Sequence, residues 1–283
     1  LTAEGGKYGA GIGGGDQGAG SGITISGGEI KATGGQYGAG IGGGKGDGSD
    51  ITISGGEVNA TGGTSGAGIG GGYNGNGSDI TITDGEVNAT GGRFSAGIGG
   101  GSRGTGSDIT ISGGEVNATG GVNGAGIGGG LRSKGKDITV SGDTKLKVQG
   151  GDEDHYDGAG AGIGDGGSNA YGTKILGAEV EPDTSGLTTN GSIAYYAPGA
   201  DMENDKPTSI TVGASSQPEK PIDPGAERGA DAPLYRVTDR DGRDIACTAE
   251  QKGGVLTVTV DADFAVLTAS LSGMTALRAQ GVE

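Results

Sequence analysis

The chain has 283 residues, of which 73 are glycine, and its hydrophobic residues of every size reach only 31%, with 4% aromatic and no Trp. That composition excludes a conventional core of large side chains. Acidic residues outnumber basic ones 35 to 19, and the resulting formal charge of −16 repels phosphate backbones and anionic bilayers, which argues against a nucleic-acid or membrane partner.

Glycine at this density usually marks disorder, but here it is periodic. A GAGIGGG-like signature places its isoleucine at Ile12, Ile41, Ile69, Ile98, Ile127 and Ile163, at intervals of 29, 28, 29, 29 and 36 residues. Periods of this length mark a solenoid. Collagen would need a three-residue period and far more than the 7 Pro present. Leu1 opens directly into a repeat, so the chain reads as a piece of a longer protein. No apolar run approaches the roughly 20 residues of a membrane span. The lone Cys247 has no intramolecular partner, so cysteine usage leaves the redox compartment open.

Inside each unit the alternation has the period of two that belongs to strands. In DITIS, Ile51 and Ile53 share one face; in EVNAT, Val58 and Ala60 do; in AGIG, Ala67 and Ile69 do. Three short strands per unit are separated by Ser-Gly-Gly, Thr-Gly-Gly and a Gly-rich loop, and glycine suits such sharp corners. A helix would lose roughly 1 kcal/mol at every glycine relative to alanine. The pattern predicts an all-β fold: a right-handed parallel β-helix of about 28–29 residues per coil, followed by a small β-rich C-terminal module. Stacked coils put Ile23, Ile51, Ile80, Ile109 and Ile138 in one interior column and Ile30, Val58, Val87, Val116 and Leu146 in another.

The copies of SGGEVNATGGTSGAGIGGG resemble the Gly-rich repeats of bacterial cell-surface proteins, including adhesin-like and carbohydrate-binding β-helices of gut and cellulolytic Firmicutes. The resemblance covers roughly residues 1–180. It implies an extracellular or cell-wall-associated protein whose partner is a polysaccharide or a host or cell-surface glycan. It supplies no catalytic residues, and it implies calcium as a frequent ligand of acidic clusters without a motif that matches residue by residue.

Beyond the repeats, KILGAEV (174–180), SIAYY (192–196) and SITVGA (209–214) read as degenerate capping coils, with Tyr195 and Tyr196 placed to cover the open end of the rod. The β-helix is therefore predicted over 1–214. A Pro-rich linker follows over 215–233. Residues 234–283 read as a small or truncated β-rich module with a hairpin at Asp241-Gly242, a strand GVLTVTV (254–260), a strand in FAVLTASL, and a short helix from Ser272 to Gly281.

Several surface features are candidates for function. Tyr8, Tyr37 and Phe94 precede the GAGIGGG signature, with Tyr73 in the next loop; exposed aromatic rings stack on sugar faces, and the competing reading is that they cover glycine backbone. The insertion DEDHYD holds Asp152, Glu153, Asp154 and Asp157 around His155, the only histidine. Four carboxylates in six residues are candidate calcium ligands, against a solvated acidic loop. The column Thr24, Thr52, Thr81, Thr110 and Thr139 resembles an ice-binding hydroxyl array, although Thr also simply suits exposed strands. The glutamate column Glu29, Glu57, Glu86 and Glu115 reads as structural or weakly cation-binding, and the glycine strip as a face open to close approach. Catalysis needs a particular site, and a surface repeated almost unchanged suits multivalent binding along a polymer. The expected function is a non-catalytic adhesin or polysaccharide-binding stalk, with a structural spacer and, more distantly, an ice-binding solenoid as alternatives.

Overall fold

The computed structural model describes residues 1–170 and 173–213 and, beyond them, the strands Arg236–Thr238, Cys247–Lys252, Val255–Val260 and Val266–Thr268. The chain divides into two compact units, Leu1–Ser216 and Gln217–Glu283. Among the described residues no helix is long and apolar enough to cross a membrane.

The first unit is a parallel β-solenoid. Its main wall is an eleven-stranded sheet through which Thr2–Glu4, Glu29–Thr33, Gly48–Thr61, Gly77–Thr90, Glu115–Thr119, Lys145–Gln149 and Ser192–Tyr196 follow one another in parallel. The register is the one the columns predict: Ile51 lies beside Ile80, Ile80 beside Ile109, and Val58 beside Val87. The third segment of each coil is shorter than the alternation suggests. Only the Ile-Gly pair is a strand, and six such pairs, from Ile12–Gly13 to Ile163–Gly164, form a second narrow sheet. The first two segments of a coil lie in the same sheet, and in two coils they run on through the Ser/Asp-Gly corner as single strands, Gly48–Thr61 and Gly77–Thr90, with an irregularity of register between Ile53 and Glu57. The chain there turns with Gly55 and Gly56 at φ 157° and 96°, which keeps the ladder hydrogen-bonded around the bend.

Between the two sheets lies a thin core. Ile41, Ile51, Ile53, Ile69, Ile80, Ile82, Ile98, Ile109, Ile111, Ile127 and Ile163 are completely buried, each touching its own repeat equivalents. Ile12 and Ile23 in the first coil are only half-buried because they have a neighbouring coil on one side alone. An amide ladder runs outside this core: the Asn88 side-chain nitrogen donates to Asn59 Oδ1 at 3.1 Å, and that of Asn117 to Asn88 Oδ1 at 2.8 Å.

The far end of the rod is closed by the segments expected to cap it. Ser192–Tyr196 adds one more parallel strand, with fully buried Ile193 beside Leu146 and Tyr195 beside Val148, and Ser209–Val212 then turns back antiparallel. Lys174 to Val180 does not form a single strand: Thr173–Ile175 pairs antiparallel with Ser168–Ala170, while Glu179 bridges Gly164. The Glu179 carboxylate accepts hydrogen bonds from the Gly162 and Ile163 amides at 2.7 and 3.0 Å, standing in for the strand that a further coil would supply.

In the second unit, Cys247–Lys252 and Val255–Val260 form an antiparallel pair, and Arg236–Thr238 pairs with Val266–Thr268. The segments on either side of Asp241-Gly242 therefore belong to different pairs rather than to a common hairpin. That turn, the helix expected over 272–281 and the linker 215–233 lie outside the described residues.

Two outcomes test this packing. Ile80→Ala should cost about 2–5 kcal/mol of stability through lost burial and a cavity, whereas the exposed Thr83→Ala should stay within about 0.5 kcal/mol; urea unfolding followed by far-UV circular dichroism checks both. Tyr195, half-buried at the cap, has its phenol pushed up to about 12, first by burial and then by Glu179 and Glu181. The unfolded phenol ionises near 10, so stability should fall as pH rises from about 10 to about 12. Ultraviolet titration should show a late phenol that Tyr195→Phe removes.

Candidate functional site

Two surface features stand out, one at the Gly-rich corners and one on the main wall. Where Tyr37 N donates to the Lys7 carbonyl and Tyr73 N to the Tyr37 carbonyl, three successive coils are clamped edge to edge, and their aromatic rings meet. Tyr8 and Tyr37 stack with centroids 5.2 Å apart and planes 12° apart; Tyr37 meets Tyr73 edge-on at 5.5 Å. Lys45 Nζ sits within about 6 Å of all three centroids, at 5.9, 6.0 and 5.8 Å, and Lys7 Nζ lies 5.1 Å from Tyr8. At such distances a cation is held by the ring quadrupole. The rings are half-buried, and one face each of Tyr8 and Tyr37 is closed by the other, so a ligand meets mainly ring edges, hydroxyls and the ammonium groups.

Phe94 stands apart from this cluster. In the column of corner residues Ser65 lies between Tyr37 and Phe94, and the Phe94 ring packs under the Arg93 guanidinium at 4.8 Å. Its backbone has φ 143°, a region costly for a side chain that branches into a ring. Next to it, Ser95 stands where the equivalent corners have Gly38, Gly66 and Gly124, and its buried hydroxyl finds no hydrogen-bond partner.

Four carboxylates were candidate calcium ligands, and the structure turns them to different partners. Asp157 is buried and takes both Arg132 Nε and an Arg132 terminal nitrogen, at 2.8 and 3.0 Å. Glu153 pairs with Lys174 at 2.8 Å. Asp154 Oδ1 accepts from the Tyr156 and Asp157 amides, and Arg93 lies 3.9 Å from its other oxygen. Asp152 is exposed. As placed, these groups share no common centre, and no cluster of three or more His, Cys, Asp or Glu arranged to hold a metal exists among the described residues. The insertion is tied to the rod instead: Asn123, fully buried, donates to the Asp157 and Gly158 carbonyls. The Asp157 amide, more than any other group, holds the Asp154 carboxyl below its usual range, and the hydrogen bond from Arg132 to Asp157 raises the guanidinium further.

The second feature is a groove of about 730 Å³ along the main wall, lined by Thr52, Thr81, Thr110 and Thr139 and by Asp50, Asp79, Asp108 and Asp137, and bounded near its end by Val180 to Asp183. The hydroxyl column was expected; the aspartates were not. Each of them takes a left-handed backbone, φ 52°, 52°, 55° and 54°, where the first coil has Gly22 at 66°. Asp tolerates that conformation better than most residues, which is a signal readable from the Gly-to-Asp exchange at one column. Lys45 was also missed, though it occupies the repeat position of Tyr73.

Comparison with known proteins agrees with this architecture. The Beta helix repeat family matches residues 1–16, 23–45, 51–73, 80–102 and 109–131. The matched stretches all lie within the solenoid, whose stacked parallel coils are those of a β-helix. No curated protein and no solved structure matches it.

The Arg132–Asp157 pair gives a direct test of the insertion's anchoring. Arg132→Ala should strand a buried carboxylate and cost about 1–3 kcal/mol, with the loss largely absent when Asp157→Asn is already present; a double-mutant cycle in urea measures the coupling. Because Asp154 is held low by bonds present only in the folded state, its stabilisation should be present above the ordinary carboxylate range and vanish as pH falls through its lowered value.

Proposed function

We propose that this β-helix is a non-catalytic, extracellular surface stalk that holds polysaccharide along its corner edge. The observation that carries the reading is the convergence of Tyr8, Tyr37 and Tyr73, from three successive coils, around Lys45. Aromatic rings with polar tips offer both apolar area and hydrogen bonds to a sugar. A rigid rod presents such a cluster with little cost of ordering and fits weak contacts summed along a polymer, and the strand faces recur coil after coil rather than gathering into one acid, base and nucleophile.

A spacer role is the second reading, favoured by the stacking of Tyr8 on Tyr37, which uses ring faces for the protein's own cohesion. Ice binding has less support, because the threonine column lies in a groove beside aspartates and not on a flat face. The experiment is retention of the whole chain on insoluble and soluble polysaccharides and on mucin, with calcium and with chelator. Wild-type protein should be retained, and Tyr37→Ala, which removes the ring shared by both aromatic contacts, should weaken retention about tenfold while leaving the circular dichroism spectrum unchanged. Retention that chelator abolishes would move attention to Asp152–Asp157. No retention on any polymer would leave the spacer.

A further inference from the structure

The overall charge hides a segregation of charge within the repeats. The corner stretches 5–20, 34–48, 62–77, 91–106 and 120–135 hold six Lys and Arg and two Asp, whereas the intervening strand stretches 21–33, 49–61, 78–90 and 107–119 hold eight Asp and Glu and one Lys. Because every coil is in register, this sequence alternation becomes a spatial one: an acidic main wall and a basic corner edge. Three of the six corner cations are neutralised from within. Arg132 pairs with Asp157, Lys134 with Asp165 at 2.6 Å, and Arg93 lies 3.9 Å from Asp154. All three carboxylates come from the insertion or the coil that follows it.

The other three, Lys7, Lys45 and Arg103, have no carboxylate within ion-pair distance among the described residues. Two of them are the cations that sit against the tyrosines. The two acids of these stretches are Asp16 and Asp47; Asp47 accepts the Asn76 amide at 2.7 Å, and neither lies within ion-pair distance of these cations. Lys45 is the more telling, being half-buried among three rings in a chain with a large excess of carboxylates.

We propose that the edge selects an anionic polysaccharide, one whose sugar rings carry carboxylate or sulfate groups. This rests on the polysaccharide reading above and sharpens it. The tyrosine edges and hydroxyls meet the sugar rings, while Lys45 and Lys7 pair with the acid groups. The acidic wall faces elsewhere and limits such a polymer to this one edge. Contacts of this kind weaken with salt, since exposed charge pairs are screened over about 10 Å at 0.1 M.

The test is affinity electrophoresis of the whole chain in gels holding polygalacturonate or its full methyl ester, and dextran sulfate or dextran, at low and moderate salt. Each pair changes the charge and keeps the sugar backbone, and the two pairs separate carboxylate from sulfate recognition. The expected result is at least tenfold tighter binding to one or both anionic polymers than to the neutral counterpart, lost in Lys45→Gln with Lys7→Gln, kept in Lys45→Arg, and falling with salt. Tyr37→Ala should weaken binding to neutral and anionic polymers alike. Equal binding to charged and neutral polymers, or a Lys45→Gln/Lys7→Gln chain that binds as wild type, would overturn the charge preference and leave the polysaccharide reading standing. Binding to none of the four would overturn both. Sedimentation showing wild-type self-association that the double lysine variant abolishes would assign the basic edge to the acidic wall of a second copy and overturn the proposal.

Discussion

Backbone lies directly on backbone where one coil crosses the next, and that close approach governs everything else in the rod. A Cβ added to Gly68 would sit 2.7 Å from both the Gly97 carbonyl oxygen and the Thr90 amide nitrogen, distances that real side chains do not tolerate. With glycine there, Ile69 N donates to Gly97 O at 3.0 Å and Gly68 N to Ala96 O at 3.3 Å. The narrow sheet needs only two residues per coil because the adjoining corners continue the same intercoil hydrogen bonding without regular strand geometry. The abundance of glycine is thus the condition for bringing the two sheets close enough that small branched side chains fill the space between them.

Strict stacking has a second consequence, which is that any property of one coil is multiplied. An isoleucine that fits once fits in every coil, and so the core closes with few large residues. An aspartate that accepts a left-handed backbone once becomes the four-member column of Asp50, Asp79, Asp108 and Asp137. Charges are multiplied in the same way, as in the stacked Glu29, Glu57, Glu86 and Glu115, but one column breaks the pattern. Asp47 takes the Asn76 amide and Asn76 in turn takes the Thr105 amide, at 2.7 and 2.9 Å, a ladder in which the acid occurs once and neutral residues continue it.

Periodicity made the interior columns, the registers and the capping role of Ser192–Tyr196 legible from the sequence, because each depends on spacing alone. What spacing could not show is which groups meet across a corner. Tyr73 and Lys45 occupy equivalent positions in adjacent coils, yet only the folded corner brings Lys45 within reach of Tyr8 and Tyr37 together. The acidic run Asp152–Asp157 reads from the sequence as candidate calcium ligands or a solvated loop, and its ion-pair partners, Arg93, Arg132 and Lys174, lie 21 to 61 residues away in the chain, beyond the reach of any local pattern. Antiparallel pairing in the second unit was misjudged for a similar reason: Asp241-Gly242 is a good local turn, but Arg236–Thr238 finds its partner at Val266–Thr268.

Net charge and local charge differ on this rod. A total of −16 describes the field far from the molecule, where it slows the approach of any anionic polymer. Within a Debye length the field is set by the nearest side chains, and on the corner edge those are Lys7, Lys45 and Arg103. The insertion adds to this asymmetry, since Asp154, Asp157 and the nearby Asp165 pair with Arg93 of the fourth coil and with both cations of the fifth, leaving Lys7, Lys45 and Arg103 as the corner cations without a carboxylate partner among the described residues. In a repeat protein identical coils confer rigidity and reach, but they cannot by themselves favour one place along the rod. The departures from the repeat do that, and here the aromatic rings and the two lysines beside them set the edge of the first coils apart from the rest of the rod.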